Sequence, residues 1–341
     1  MMKHNLDGSG RPESGTKKIL TTEFYLLILV VAIMLVLQMF AADFYSLNNV
    51  MSTFNYFSYL LIGAVGMNMI IITGNIDVSA GAIISVVGVA VAFVGKTDVP
   101  FWVFMPVGMA VGAALSFING IFITKLRIPS IVATLATTQL FAGILPLVVD
   151  GAIYDLPANF TWLAFEAKLF GIIPSSMLFM TAIVVVAILF MKYSRFAKKL
   201  YAIGNNATAA KLAGVNVNKT VVTGFAIAGA LYGIAGTLIV TAGQRVTMTM
   251  GSGLEMTLIA AVVLGGTSIA GGSGKIIGTV LGAFILSLIS PAMNYMGLSS
   301  DWSDAVMGAI ILVSVIVAQI AVMTEKNKLN TMKLTCKPEV K

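Results

Sequence analysis

From Phe24 onward the chain is a succession of apolar runs, most of them 16–24 residues long, broken by short polar or glycine-rich stretches. A helix crossing the roughly 30 Å hydrocarbon core of a bilayer needs about 20 mostly apolar residues. Such runs, repeated along a chain, leave few water-soluble architectures open. Composition agrees, with 58% hydrophobic and only 10% charged residues and a mean hydropathy of +0.96. A soluble globular domain carries about a quarter charged residues, so soluble enzymes, nucleic-acid binders and disordered scaffolds are excluded. An outer-membrane barrel is excluded too. Its strands alternate apolar and polar positions, whereas the apolar residues here come unbroken.

Ten runs are readable as spans: Phe24–Ala42, Tyr56–Thr73, Ala80–Gly95, Phe101–Thr124, Ser130–Val149, Met177–Met191, Thr220–Ala242, Leu254–Gly271, Ile276–Pro291 and Ala305–Met323. The expected fold is all-α: a polytopic membrane helix bundle of about ten transmembrane helices with broken or re-entrant segments. This transmembrane domain covers residues 24–323, between an N-terminal tail (1–23) and a C-terminal tail (324–341). The first run is too long for a signal-peptide core and lacks a small-residue cleavage site before Asp43, so it reads as an uncleaved helix.

Charge supplies the orientation, because cytoplasmic loops carry an excess of Lys and Arg. With the N-terminus inside and ten alternating spans, 18 of the 21 basic residues fall on the cytoplasmic side. Six of them lie in the loop 192–219. Lys96, Lys168 and Arg245 fall outside, together with Asp98, Asp150, Asp155, Glu166, Asp301 and Asp304. Both termini are therefore expected on the cytoplasmic side of the membrane, and the +7 net charge does not imply nucleic acid.

The spans hold little reactive chemistry. The single cysteine is Cys336 and the single histidine is His4, both in the tails, so neither a thiol metal cluster nor intramembrane histidine chemistry is expected. Gly271-Gly-Ser-Gly-Lys275 resembles the end of a phosphate-binding loop. It lacks the earlier glycine, since Ile269 stands there, and lacks Ser or Thr after the lysine, where Ile276 stands. The chain is not expected to hydrolyse ATP, and no cofactor is expected in it.

Polar residues inside the spans are informative because they are costly there. The stretch Thr73-Gly-Asn-Ile-Asp-Val-Ser-Ala-Gly81 interrupts an apolar region and cannot be continuous helix. Asp77 and Ser79 suit two roles: capping the helix that follows, or binding a cation or proton. With Asn75, they join Asn68, Asn119, Thr137, Gln139, Gln244 and Glu255 as candidates for a translocation path; Asn and Gln equally serve as glue between helices. Gly229, Gly233 and Gly236, spaced by four and three, are expected along one face of a tightly packed helix.

In the loop 192–219, the stretch Ala207–Ala213 is rich in helix formers. Asn205 or Asn206 is placed to cap its start and Gly214 to stop it. This predicts a short amphipathic helix on the cytoplasmic face, a natural docking element, with Asn205, Ala209, Ala210, Lys211 and Gly214 as its candidate coupling residues.

The same loop, Tyr201-Ala-Ile-Gly-Asn-Asn-Ala-Thr-Ala-Ala-Lys-Leu-Ala-Gly-Val215, resembles the coupling-loop signature of permeases from ABC importers for ribose and related simple sugars. Three stretches agree in the family's order: Asn75-Ile-Asp-Val-Ser-Ala-Gly81, Arg127-Ile-Pro-Ser-Ile-Val-Ala-Thr-Leu-Ala-Thr137, and the glycine-rich run 253–272. The second and fourth stretches look especially like the autoinducer-2 branch, although pentose and rhamnose permeases share much of them. The resemblance covers roughly residues 45–320. One departure is Thr208, where the family's signature usually has Glu; it puts in question any ion pair from this position to the ATPase.

The resemblance implies a permease subunit, not an enzyme, in a bacterial importer. A second permease chain, identical or paralogous, would complete the pore. Two ABC ATPase subunits would bind ATP and magnesium below, and an extracytoplasmic solute-binding protein would deliver a sugar-like solute from above. Two other classes stay open: a cation-coupled secondary transporter using Asp77 on a broken helix, and a structural membrane scaffold.

Overall fold

A computed structural model describes residues 16–40, 42–97, 99–154, 156, 168–169, 173–243 and 245–295, with isolated positions at 302, 305–310, 312 and 316. Most of the run expected at Ala305–Met323 therefore lies outside the described residues, as do Gln244, Asp155 and Glu166. The rest is a helical bundle. In chain order its helices are α1 (Thr16–Phe40), α2 (Leu47–Ile72), α3 (Ala80–Gly95), α4 (Phe104–Lys125), α5 (Ser130–Val148) and α6 (Ser175–Tyr193). Two short helices follow, α7 (Arg195–Asn205) and α8 (Ala207–Leu212), and then α9 (Val217–Gly243), α10 (Leu254–Leu264) and α11 (Ile276–Tyr295). Among the described residues, two-residue strands occur in connections; β1 (Ala152–Ile153) pairs antiparallel with β4 (Val246–Thr247), and β2 (Lys168–Leu169) with β3 (Ile173–Pro174).

Among the described residues, six helical stretches are long and apolar enough to cross a membrane: Asn49–Ile72, Phe101–Lys125, Ser130–Val148, Ser175–Tyr193, Val217–Gly243 and Ile276–Met293. The expected eighth span is shorter than its apolar run suggests. α10 stops at Leu264 because Gly265 closes it and Gly266, at φ +84°, turns the chain out of helical geometry. Gly271 and Gly272, also at positive φ, complete a turn before α11. α3 is likewise short, at 16 residues.

The core runs along α2, α3 and α9. Tyr232, Phe225, Leu60, Leu61, Met67 and Ile83 are fully buried in it. α4 reaches this core by direct backbone approach. A Cβ on Gly112 would collide with the Gly229 carbonyl and sit 2.9 Å from the Gly233 amide, and one on Gly108 would lie 2.8 Å from the Gly233 carbonyl. Lipid offers no hydrophobic drive between helices, so close van der Waals contact of this kind holds them together. Gly229, Gly233 and Gly236 share one face of α9, as their spacing predicts; Gly229 and Gly233 meet α4, and Gly236 meets Ile84 and Val87 of α3 beside it.

Candidate functional site

α7 and α8 form in the loop 192–219, which holds six of the basic residues. Ser194 leaves the helical region at ψ 136° and its hydroxyl accepts from the Phe196 amide at 3.1 Å, which starts α7. Ala197, Leu200 and Ile203 form the buried face, and Lys198 and Lys199 are exposed. α7 is thus the more evident amphipathic helix of the loop; the sequence reading placed one only at 207–213.

Asn206 then breaks the helix at φ −164° and caps the next one, its Oδ1 accepting from the Ala209 amide at 2.9 Å. The cap is therefore Asn206 and not Asn205. α8 ends as expected at Gly214, which adopts φ +83°. There the Ala213, Gly214 and Val215 amides each reach back to a carbonyl of 209–211 at 3.0 Å, a pattern that satisfies the last carbonyls of a helix. Ala210 faces inward, whereas Ala209 and Lys211 face out. Leu212 is 86% exposed. No pattern marked it in the sequence, since an exposed leucine is visible only once the helix is placed.

Asn205 has another task. Its Nδ2 donates to the Gly272 carbonyl at 3.2 Å and to the Tyr201 carbonyl at 3.0 Å. The Tyr201 hydroxyl donates to the Gly274 carbonyl at 2.8 Å, and burial raises the pKa of its phenol, which keeps it a donor. The Gly272 amide in turn donates to the Ile72 carbonyl at 2.9 Å. Gly204 sits where a Cβ would collide with both Ile72 and Gly272, and Gly271 lies where one would come 2.7 Å from the Gly74 amide. The end of α7 is thereby joined to the end of α2, to the broken segment 73–79 and to the turn before α11.

The broken segment is held by polar side chains. Asp77 is fully buried. Its Oδ1 accepts from the Ser79 amide at 2.9 Å and the Ser79 hydroxyl at 2.5 Å, and Asn119 Nδ2 donates to that hydroxyl at 2.7 Å. Asp77 thus closes a tight local turn ahead of α3. The expectation that Ser79 itself caps α3 is corrected: its hydroxyl makes no cap hydrogen bond, because it is committed to Asp77. The extended backbone is served by one ridge of α5. Ser130 accepts from the Ile76 amide at 3.2 Å, Thr134 from the Val78 amide at 3.1 Å, and Thr138 donates to the Val78 carbonyl at 3.1 Å. These three lie four residues apart and share a face.

The remaining path candidates separate. Asn68 is fully buried and donates to Thr267 at 2.7 Å and Thr279 at 2.8 Å, so it ties α2 to the turn after α10 and to α11. Asn119 is fully buried as well. Both bond between helices. Thr137 bonds back to the Thr134 carbonyl of its own helix at 3.1 Å. Asn75 is half-buried and donates to the Thr73 hydroxyl at 2.8 Å. Glu255, half-buried at the start of α10, accepts from the Gly253 amide at 3.3 Å. It lies against Gly81, whose neighbour across the contact is Gly251. Gln139 stands apart, exposed on α5 among exposed apolar side chains.

No metal-binding group of three or more His, Cys, Asp or Glu side chains occurs among the described residues. Comparison with known proteins identifies the family. Residues 49–315 match the family model described as branched-chain amino acid transport system / permease component. The ribose import permease protein RbsC of Escherichia coli (strain K12) is 33% identical over 299 residues, covering 85% of this chain and 92% of the relative. RbsC of Haemophilus influenzae is 32% identical over 301 residues, 86% of this chain and 91% of its own. The autoinducer 2 import system permease protein LsrC of Yersinia enterocolitica is 34% identical over 287 residues, 84% and 79% respectively. The chain belongs to this family of multi-pass membrane permeases and is a transport component, not an enzyme.

Proposed function

We propose that the chain is the transmembrane permease subunit of an ATP-driven ABC importer for a sugar or sugar-like solute of the ribose or autoinducer-2 type. The observation that carries this reading is the construction of α7 and α8. A short, doubly capped helix presents Leu212 to solvent and is joined through Asn205 and Gly204 to the ends of α2 and the turn before α11. An ATPase pressing on α8 would move those helix ends together. Hydrolysis would belong to that separate subunit and substrate selection to an external binding protein.

In this reading two permease chains form the pore in a bacterial inner membrane, and both termini lie in the cytoplasm with the basic loop 192–219. The bundle holds about ten membrane helices, the short α3 and α10 among its broken or re-entrant segments. Gln139, polar and exposed at mid-helix on α5, is the path residue best suited to meet an uncharged solute. The alternative is cation coupling through Asp77, whose Oδ1 is engaged by Ser79 while its buried Oδ2 has no hydrogen-bond partner among the described residues.

The test is reconstitution in proteoliposomes with the cognate ATPase and binding protein. Uptake of the delivered sugar should require ATP and persist when proton and sodium gradients are collapsed. Uptake by this chain alone, driven by either gradient, would refute the proposal.

A further inference from the structure

α6 and α9 both pack on α2, and over Met69 they leave a groove between them of about 330 Å³. Its lining is wholly apolar and includes Met69, Ile183, Val186, Phe190, Ile227 and Leu231. Both walls lead to the same end of the bundle. On α9, Leu231, Ile227, Thr223 and Lys219 follow one another at four-residue spacing, so a single ridge runs from the groove to Lys219. On α6 the wall ends at Phe190, whose ring centroid lies 6.1 Å from that of Phe196, the neighbour of Arg195. Lys192 follows, its Nζ 5.1 Å from the centroid of the Tyr193 ring. Lys192, Arg195 and Lys219 are exposed, and none has an acidic partner among the described residues.

We propose that this groove holds one acyl chain of an anionic phospholipid whose phosphate is held at the mouth by Lys192, Arg195 and Lys219. An apolar slot at bilayer depth is filled by hydrocarbon, and basic side chains just beyond a membrane helix draw anionic headgroups. Among the described residues of the later part of the chain, Met307 lies against Thr257 of α10, 3.5 Å away. The proposal rests on membrane embedding alone and stands independently of the importer reading.

Native mass spectrometry of the purified chain, titrated with phosphatidylglycerol or phosphatidylcholine of identical acyl chains, tests it. The wild-type chain should retain one phosphatidylglycerol in preference to phosphatidylcholine by about tenfold. The triple variant Lys192→Gln, Arg195→Gln, Lys219→Gln should lose that preference. Val186→Trp should fill the slot and lower retention of both lipids; Val186 is 63% exposed, so the larger ring needs no rearrangement of the core. Equal retention by the wild-type chain, an undiminished preference in the triple variant, or unchanged retention in Val186→Trp would each overturn the proposal. So would a cross-link from position 186 to a second copy of the chain in the membrane. The triple variant leaves the groove untouched, which keeps the headgroup test independent of how the tryptophan variant folds.

Discussion

The Gly272 amide donates to the Ile72 carbonyl across 2.9 Å, and Gly204 fits against the same two groups with no space for a Cβ. Three segments far apart in sequence therefore share one backbone contact: the end of α2, the turn before α11 and the last turn of α7. In the proposed importer, a push on α7 would reach two membrane helices through this main-chain contact.

Gly204→Val should break that junction. The added carbons overpack a backbone-lined site, which typically costs about 1–3 kcal/mol, and they separate α7 from α2. The expected result is a lower thermal midpoint in detergent and loss of substrate-stimulated ATPase activity in the reconstituted complex, with membrane insertion retained. Normal stimulation would show that the three-way contact does not transmit the movement.

Leu212→Asp addresses the docking surface and leaves the interior alone. The side chain is 86% exposed, and surface substitutions of this kind usually change stability by less than about 0.5 kcal/mol. The thermal midpoint of the isolated chain should be unchanged while co-purification of the ATPase is lost. Full retention of the ATPase would remove α8 from the interface.

The parts legible in the sequence were those with a simple period or a special backbone requirement. Apolar runs marked the long helices, and Gly214 marked the end of α8 because only glycine enters φ +83° at no steric cost. α7 was missed because its inward face is only three residues, Ala197, Leu200 and Ile203, set among lysines. The length of α10 was overestimated because hydropathy does not register the turn at Gly265-Gly266. Ser130, Thr134 and Thr138 carry a legible spacing, but spacing does not reveal what the face meets. Their partner is a stretch of non-helical backbone some sixty residues earlier, which appears only in three dimensions.

That ridge gives a paired prediction. Thr134→Val keeps the shape but removes the acceptor for the Val78 amide, and a buried donor left unsatisfied costs about 1–3 kcal/mol. Thr137→Val removes only a bond to its own helix and should be nearly neutral. Thermal unfolding in detergent should rank wild type and Thr137→Val together, well above Thr134→Val. Equal midpoints for the two variants would mean that the α5 ridge does not hold the broken segment.

Asp77 separates the importer from a cation-coupled carrier. Asp77→Asn retains an oxygen that accepts from the Ser79 amide and hydroxyl, so the turn before α3 is preserved, while the charge is lost and the unpartnered Oδ2 becomes an amide NH2. ATP-driven uptake by the reconstituted complex should stay within about twofold of wild type, as for a structurally compatible change. Asp77→Ala removes both hydrogen bonds at a fully buried position. It should destabilise the chain by about 1–3 kcal/mol for each donor left unpaired, and uptake should fall with the amount of folded protein. A carrier that couples transport to a cation at this carboxylate behaves differently: the asparagine variant folds normally and transports nothing. Measuring uptake against folded protein for both variants distinguishes a positioning carboxylate from a coupling one.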